Sequence, residues 1–170
     1  MSNSTAIKQL YLLNAVEGKD VKEIKNLLGM YTYTNDFLLQ LLIRALKLGS
    51  RNVVDELANA INYNIGQAAF YFISTINAGY TNKAKENITN RLLDLAKHKD
   101  ATIDYPAMQG IINNLTYTND KYVAKFLDYF LNTQQATRQQ IQQLMNIAGG
   151  KLANSKTANI LKEHTPIKLL

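Results

Sequence analysis

His98 and His164 are the two side chains of this chain that titrate near neutral pH, and either could act as a general acid or base if a carboxylate or a nucleophile stood beside it. Neither is placed for that role. His98 lies in Lys97-His98-Lys99-Asp100 at an expected helix end, where a cation meets the last carbonyls, and His164 sits near the end of the sequence. No His-x-x-x-His, Glu-x-x-His or Asp-x-Asp-x-Asp pattern occurs, so zinc, di-iron and EF-hand chemistry have no motif to rest on. Cysteine is absent, which excludes thiolate ligands, disulfides and a cysteine nucleophile. The adjacent acids Asp55-Glu56 point about 100° apart on a helix and are poorly set to share acid and base work. Gly149-Gly150-Lys151 has the last letters of a phosphate loop but lacks its upstream glycine and a preceding strand, so it reads as a helix stop. No catalytic residue, metal ligand or cofactor is expected, and the chain reads as a non-enzyme.

Binding chemistry has more to work with. The 15 lysines and four arginines against 13 acids give a net charge of +6, enough to attract an acidic partner or nucleic acid at long range. The lysines are scattered, however, and Asp94 and Asp100 interrupt their tightest bunch. Tyr122, Phe126, Tyr129 and Phe130 share one side of a helix and interleave with Lys121 and Lys125; such a stripe is core unless it opens as a groove for a helix or for bases. Gln134-Gln135, Gln139-Gln140 and Gln142-Gln143 read as a wet helix face.

The elements that must carry these groups are helices. Proline occurs only at 106 and 166, and apolar residues recur every three or four positions almost throughout. Ten helices follow. The first, residues 5–17, is capped by Ser4 or Thr5, carries Ile7, Leu10, Tyr11 and Val16 along one side, and breaks at Gly18. Asp20 caps the second, Gly49 ends the third, and Asn62-Tyr63-Asn64 ends the fourth. The fifth runs to about Asn77 with Ile76 on its apolar side, Asp104 or Tyr105 caps the seventh with Pro106 in its first turn, and the ninth meets Gly149-Gly150.

The pentapeptide Thr-Tyr-Thr-Asn-Asp occurs twice, at 32–36 and 116–120. In each copy Thr, Asn or Asp suits the free amides of a first helical turn, and Gly79-Tyr80-Thr81-Asn82 uses the same punctuation. The helix-pair turns recur at Gly18, Gly49, Gly79, Leu115-Thr116 and Gly149-Gly150, a spacing of 30 to 36 residues that marks a repeat of one helix pair. The two pentapeptides are 84 residues apart, half a unit out of phase, so they share a local task and not a repeat position.

Ala45-Leu46-Lys47-Leu48-Gly49-Ser50-Arg51-Asn52-Val53-Val54-Asp55-Glu56-Leu57 resembles the two-helix core of an ankyrin repeat: a small residue, a turn glycine, paired valines and a later leucine. Ala15-Val16-Glu17-Gly18 with Val21, Ile24, Leu27 and Leu28 is similar but one residue shorter in its turn. The family's Thr-Pro entry is missing from every unit, the single Thr-Pro being Thr165-Pro166, and the link at Asn62–Asn64 is too short for the family's projecting hairpin. The resemblance implies a binding scaffold without chemistry of its own.

The expected fold is therefore all-α: a solenoid-like array of about five antiparallel helix pairs, ankyrin-like or generic, over residues 1–164 with a tail at 165–170; a closed bundle is the alternative. The expected function is a protein-interaction module, with a basic nucleic-acid-binding repeat and an enzyme with a scattered site as alternatives. No basic flank precedes an apolar core near the start and no window approaches the roughly 18 apolar residues of a membrane span, so a soluble, cytoplasmic chain is expected. Turn-proximal rings and a polar leading-helix face supply the candidate contact residues: Tyr33, Tyr63, Tyr80 and Tyr117, with Arg44 and Lys47.

Overall fold

A computed structural model describes residues 3–75 and 79–164. The described residues form ten helices and no strand: α1 (Asn3–Glu17), α2 (Val21–Met30), α3 (Asn35–Leu48), α4 (Arg51–Ala60), α5 (Ile65–Thr75), α6 (Asn82–His98), α7 (Tyr105–Asn113), α8 (Asp120–Thr133), α9 (Arg138–Lys151) and α10 (Lys156–His164). None is long and apolar enough to cross a membrane. Ile76, Asn77 and the 165–170 tail lie outside the described residues.

Five of the ten helix starts are set by one side chain each. Asp20, Thr34, Thr81, Asp104 and Thr137 accept a hydrogen bond from the amide three residues on, at 2.9 to 3.3 Å, satisfying a donor that the first turn leaves free. Gln140 returns the favour to the Thr137 amide, closing a capping box. Gly49, at φ 83°, ends α3 in the left-handed conformation that costs a glycine nothing.

The chain divides at Asn64/Ile65 into two compact units. In the first, α1 packs on α2 and α3, and α4 on α3 and α2. Leu12, Val16, Ile24, Leu42, Ala45, Val53 and Leu57 are fully buried there. The second unit joins α5 to α6 and α7, α8 to α6, α7 and α10, and α9 to α7 and α10. Its interior holds Phe72, Ile88, Leu92, Ile111, Leu144 and Leu161 around a buried α8.

Two sequence expectations need correction. Ile7, Leu10 and Tyr11 do not share the inward side of α1 with Val16: they are 46%, 52% and 51% exposed, and Leu12, Ala15 and Val16 are buried instead. Leu10 to Leu13 are apolar all round the helix, so spacing does not choose a face, and contact with α2 and α3 does. The expected caps Ser4 and Thr5 accordingly lie inside α1, which starts at Asn3. Gly149-Gly150 does not stop its helix either. α9 continues to Lys151, with Leu152 donating to the Ala148 carbonyl at 2.8 Å, and packing against α7 and α10 outweighs the low helix propensity of two glycines.

Two glycines are spacers between helices. A Cβ on Gly66 of α5 would stand 3.0 Å from the Ala107 Cβ of α7, and one on Gly110 of α7 would stand 2.9 Å from the Phe70 ring. A Cβ on Gly29 in α2 meets nothing within 4 Å. Opposite signs are therefore expected: Gly29→Ala should stabilise by about 0.5 kcal/mol through the lost freedom of the unfolded chain, while Gly66→Leu should cost about 1–3 kcal/mol by forcing α5 off α7. Urea denaturation of the two variants checks both, and a stabilising Gly66→Leu would refute the close approach.

Candidate functional site

The two copies of Thr-Tyr-Thr-Asn-Asp do different work. In the first, Thr34 is the cap of α3 and Asp36 is an exposed first-turn acid. In the second, the helix begins one letter later, at Asp120, and the expected capping is absent from Asn119. Its buried side chain turns backwards, accepting from the Thr116 amide at 2.8 Å and donating to the Asn114 carbonyl at 2.7 Å. The Asp120 carboxylate serves another helix altogether: it accepts from the Lys156 and Thr157 amides at 2.9 and 3.1 Å and from the Thr157 hydroxyl at 2.8 Å, so it closes the N-terminus of α10 together with Ser155. Both Asp120 and α10 are thus structural partners.

Tyr33 sits in an aromatic cluster. Its ring stacks on Phe37 with centroids 5.8 Å apart and meets the edge of Tyr31 at 6.4 Å, while its hydroxyl donates to the Lys8 carbonyl of α1 at 3.1 Å. Burial, and then the neighbouring Tyr31, raise the Tyr33 phenol above its ordinary pKa, which keeps it a neutral donor. The Lys8 ammonium lies 5.0 Å over the Tyr31 ring.

Arg44 forms a two-pronged pair with Glu17 at 2.7 and 3.2 Å, tying the end of α1 to α3. Both side chains remain over a third exposed, so the pair contributes under about 1 kcal/mol. Lys47 is exposed on α3. Tyr63 is half-buried at φ 51° in the turn after α4, and Tyr80 is half-buried just before α6. Tyr117 projects from the turn before α8 at 86% exposure. Tyr33, Arg44, Lys47 and Tyr63 belong to the first unit, Tyr80 and Tyr117 to the second.

The aromatic stripe is core. Tyr122, Phe126 and Phe130 are at most 1% exposed and Tyr129 is 8% exposed. The Tyr122 hydroxyl donates to the Asn82 carbonyl at 3.2 Å and that of Tyr129 to Ala101, so each phenol finds an acceptor inside the fold. Burial, and then nearby Asp100, raise the Tyr129 pKa, and burial alone raises that of Tyr105. Of the paired glutamines, Gln135, Gln139, Gln142 and Gln143 face solvent.

Two features were not legible as sites in the sequence. One is the outward row Ile7, Leu10 and Tyr11 on α1, whose spacing of three and four is a binding pattern as much as a core pattern. The other is an open cleft of about 490 Å³ in the first unit, lined by Lys25, Leu28, Gly29, Tyr31, Thr32, Tyr33, Leu38, Glu56, Asn59 and Ala60. A second cleft of about 500 Å³, between α6, α8 and α10, is lined by three lysines and three acids. Among the described residues no three His, Asp or Glu side chains are grouped closely enough to hold a metal. No protein family, curated protein or solved structure matches this chain.

Proposed function

We propose that this chain is a non-catalytic protein-interaction module in which successive helix pairs stack as a solenoid-like scaffold. Within each unit, leading helices touch leading helices (α1 and α3; α5, α7 and α9) and trailing helices touch trailing ones (α2 and α4; α6, α8 and α10), the contact pattern that stacked hairpins generate. The observation that carries the reading is the row Ile7, Leu10 and Tyr11. Three large apolar side chains, each about half exposed on adjacent turns of one helix, offer a partner apolar area at little ordering cost, because α1 is already held by Leu12, Val16 and the Arg44–Glu17 pair.

The test replaces Leu10 and Tyr11 together by serine and compares the captured proteins quantitatively with those held by the parent chain. The reading expects a specific partner to be lost while the melting temperature is nearly unchanged, since half-exposed side chains contribute little to folding. Tyr117→Ser, in the second unit, is the matched control and tests the one candidate tyrosine whose ring stands fully outside. Retention of every partner by the double variant would sink the α1 face as the contact. Salt-sensitive retention of nucleic acid alone would replace the protein-binding reading with the basic-repeat alternative.

A further inference from the structure

The cleft of the first unit concentrates negative potential. Leu28 and Gly29 come from the last turn of α2, and Asn59 and Ala60 from the last turn of α4, so two helices that pack on one another bring their C-termini to one wall. Each helix end carries roughly half a negative charge. Neither helix has a basic residue in its last turn to offset it. In α4 the following turn occupies the Leu57, Ala58 and Asn59 carbonyls, leaving the dipole; in α2 the Tyr31 amide takes the Leu27 carbonyl, and later carbonyls have no intrahelical donor. The Glu56 carboxylate adds a full charge, and Tyr31 and Tyr33 line the same cleft.

The protein already answers this field with its own lysines. The Lys25 ammonium stands 3.5 Å from Glu56 Oε1 in a single long contact, on a side chain that is 63% exposed, and Lys8 covers Tyr31. Beside Glu56 the apolar surfaces of Leu28, Leu38 and the two tyrosines could hold an aliphatic stem. We propose that this cleft binds an alkylammonium group, with its nitrogen at Glu56 and the α2 carbonyls, its stem against Leu28, Leu38 and Tyr31, and Lys25 as the internal cation it displaces. The net charge of +6 does not prevent this, because distant lysines are screened beyond about 10 Å at 0.1 M salt while the helix ends and Glu56 act at contact. The cleft shares no lining residue with the α1 row Ile7, Leu10 and Tyr11.

Calorimetry and amide NMR on the whole chain test it, with 1,5-diaminopentane as the first probe and the capped tripeptide Gly-Lys-Gly as the second. Saturable binding is expected, with the largest shifts at Leu28, Gly29, Tyr31 and Asn59. Glu56→Gln should weaken it about fivefold or more, the equivalent of one charge-assisted contact. Lys25→Met should tighten it about threefold, because it removes the competing ammonium. Tighter binding of the diamine assigns the site to free amines, and tighter binding of the peptide assigns it to a lysine side chain. No saturation at millimolar probe, equal affinity in Glu56→Gln, or weaker binding in Lys25→Met would overturn the proposal. Lys25→Met gives a folded test even if Glu56→Gln lowers stability, since the Lys25 side chain is 63% exposed.

Discussion

Phe126→Ala is expected to destabilise this protein by about 3–5 kcal/mol, the range for emptying a buried ring from a close-packed core. The side chain is 0% exposed at the middle of α8, the helix that packs on α6, α7 and α10. Three neighbours fixed by their own capped ends are slow to collapse into the space, so the cavity term adds to the lost transfer free energy. Against a typical total stability of about 5–15 kcal/mol, such a loss removes a large fraction of the folded population's margin. The measurement is a urea transition, in which the midpoint should fall with little change of slope. Tyr117→Ala is the internal comparison: an aromatic ring six residues before α8's first full turn ends, but 86% exposed, and expected to change stability by less than about 0.5 kcal/mol. A Phe126→Ala loss below about 1 kcal/mol would mean that α8 is not the centre of its unit.

Asp120→Ala should cost about 2–4 kcal/mol, well above an ordinary surface carboxylate. One carboxylate takes three hydrogen bonds from α10, two of them from the amides of its first turn, and it lies at the positive end of that helix. The Thr157 hydroxyl is fully buried, so removal of Asp120 leaves it without its best acceptor in a place water does not reach. Asp120→Asn keeps the shape and one acceptor oxygen but loses the charge, and should cost less than Asp120→Ala. Asp36→Ala alters the same letter of the first pentapeptide, where the acid is exposed and serves only its own helix end, and should cost about 0.3–1 kcal/mol. Amide hydrogen exchange locates the effect: protection should fall first at Lys156, Thr157 and Ala158 in the Asp120 variants. Equal losses for Asp36→Ala and Asp120→Ala would show that the α8–α10 tie contributes nothing beyond local capping.

Several features of this protein were written locally in its sequence. The starts of α2, α3, α6 and α7 at Asp20, Thr34, Thr81 and Asp104 and the place of Pro106 each depend on a side chain within four residues of the backbone it serves, the stop at Gly49 on the absence of one, and the all-helical class on apolar spacing along each segment. Interactions of that range need no knowledge of what packs where. The burial of the Tyr122–Phe130 stripe was legible for a related reason, since a broad apolar face on one helix must be covered by something. Tertiary packing decided the rest. It turned Ile7, Leu10 and Tyr11 of α1 outward, carried α9 through two glycines, and gave Asp36 and Asp120 unlike partners from identical pentapeptides. It also brought the ends of α2 and α4 together around Glu56, residues that share no motif. The physical reason is the range of the interaction: a cap is settled within one turn of the chain, whereas the outward face of an evenly apolar helix, the partner of a carboxylate and the meeting of two helix dipoles depend on neighbours that only folding supplies.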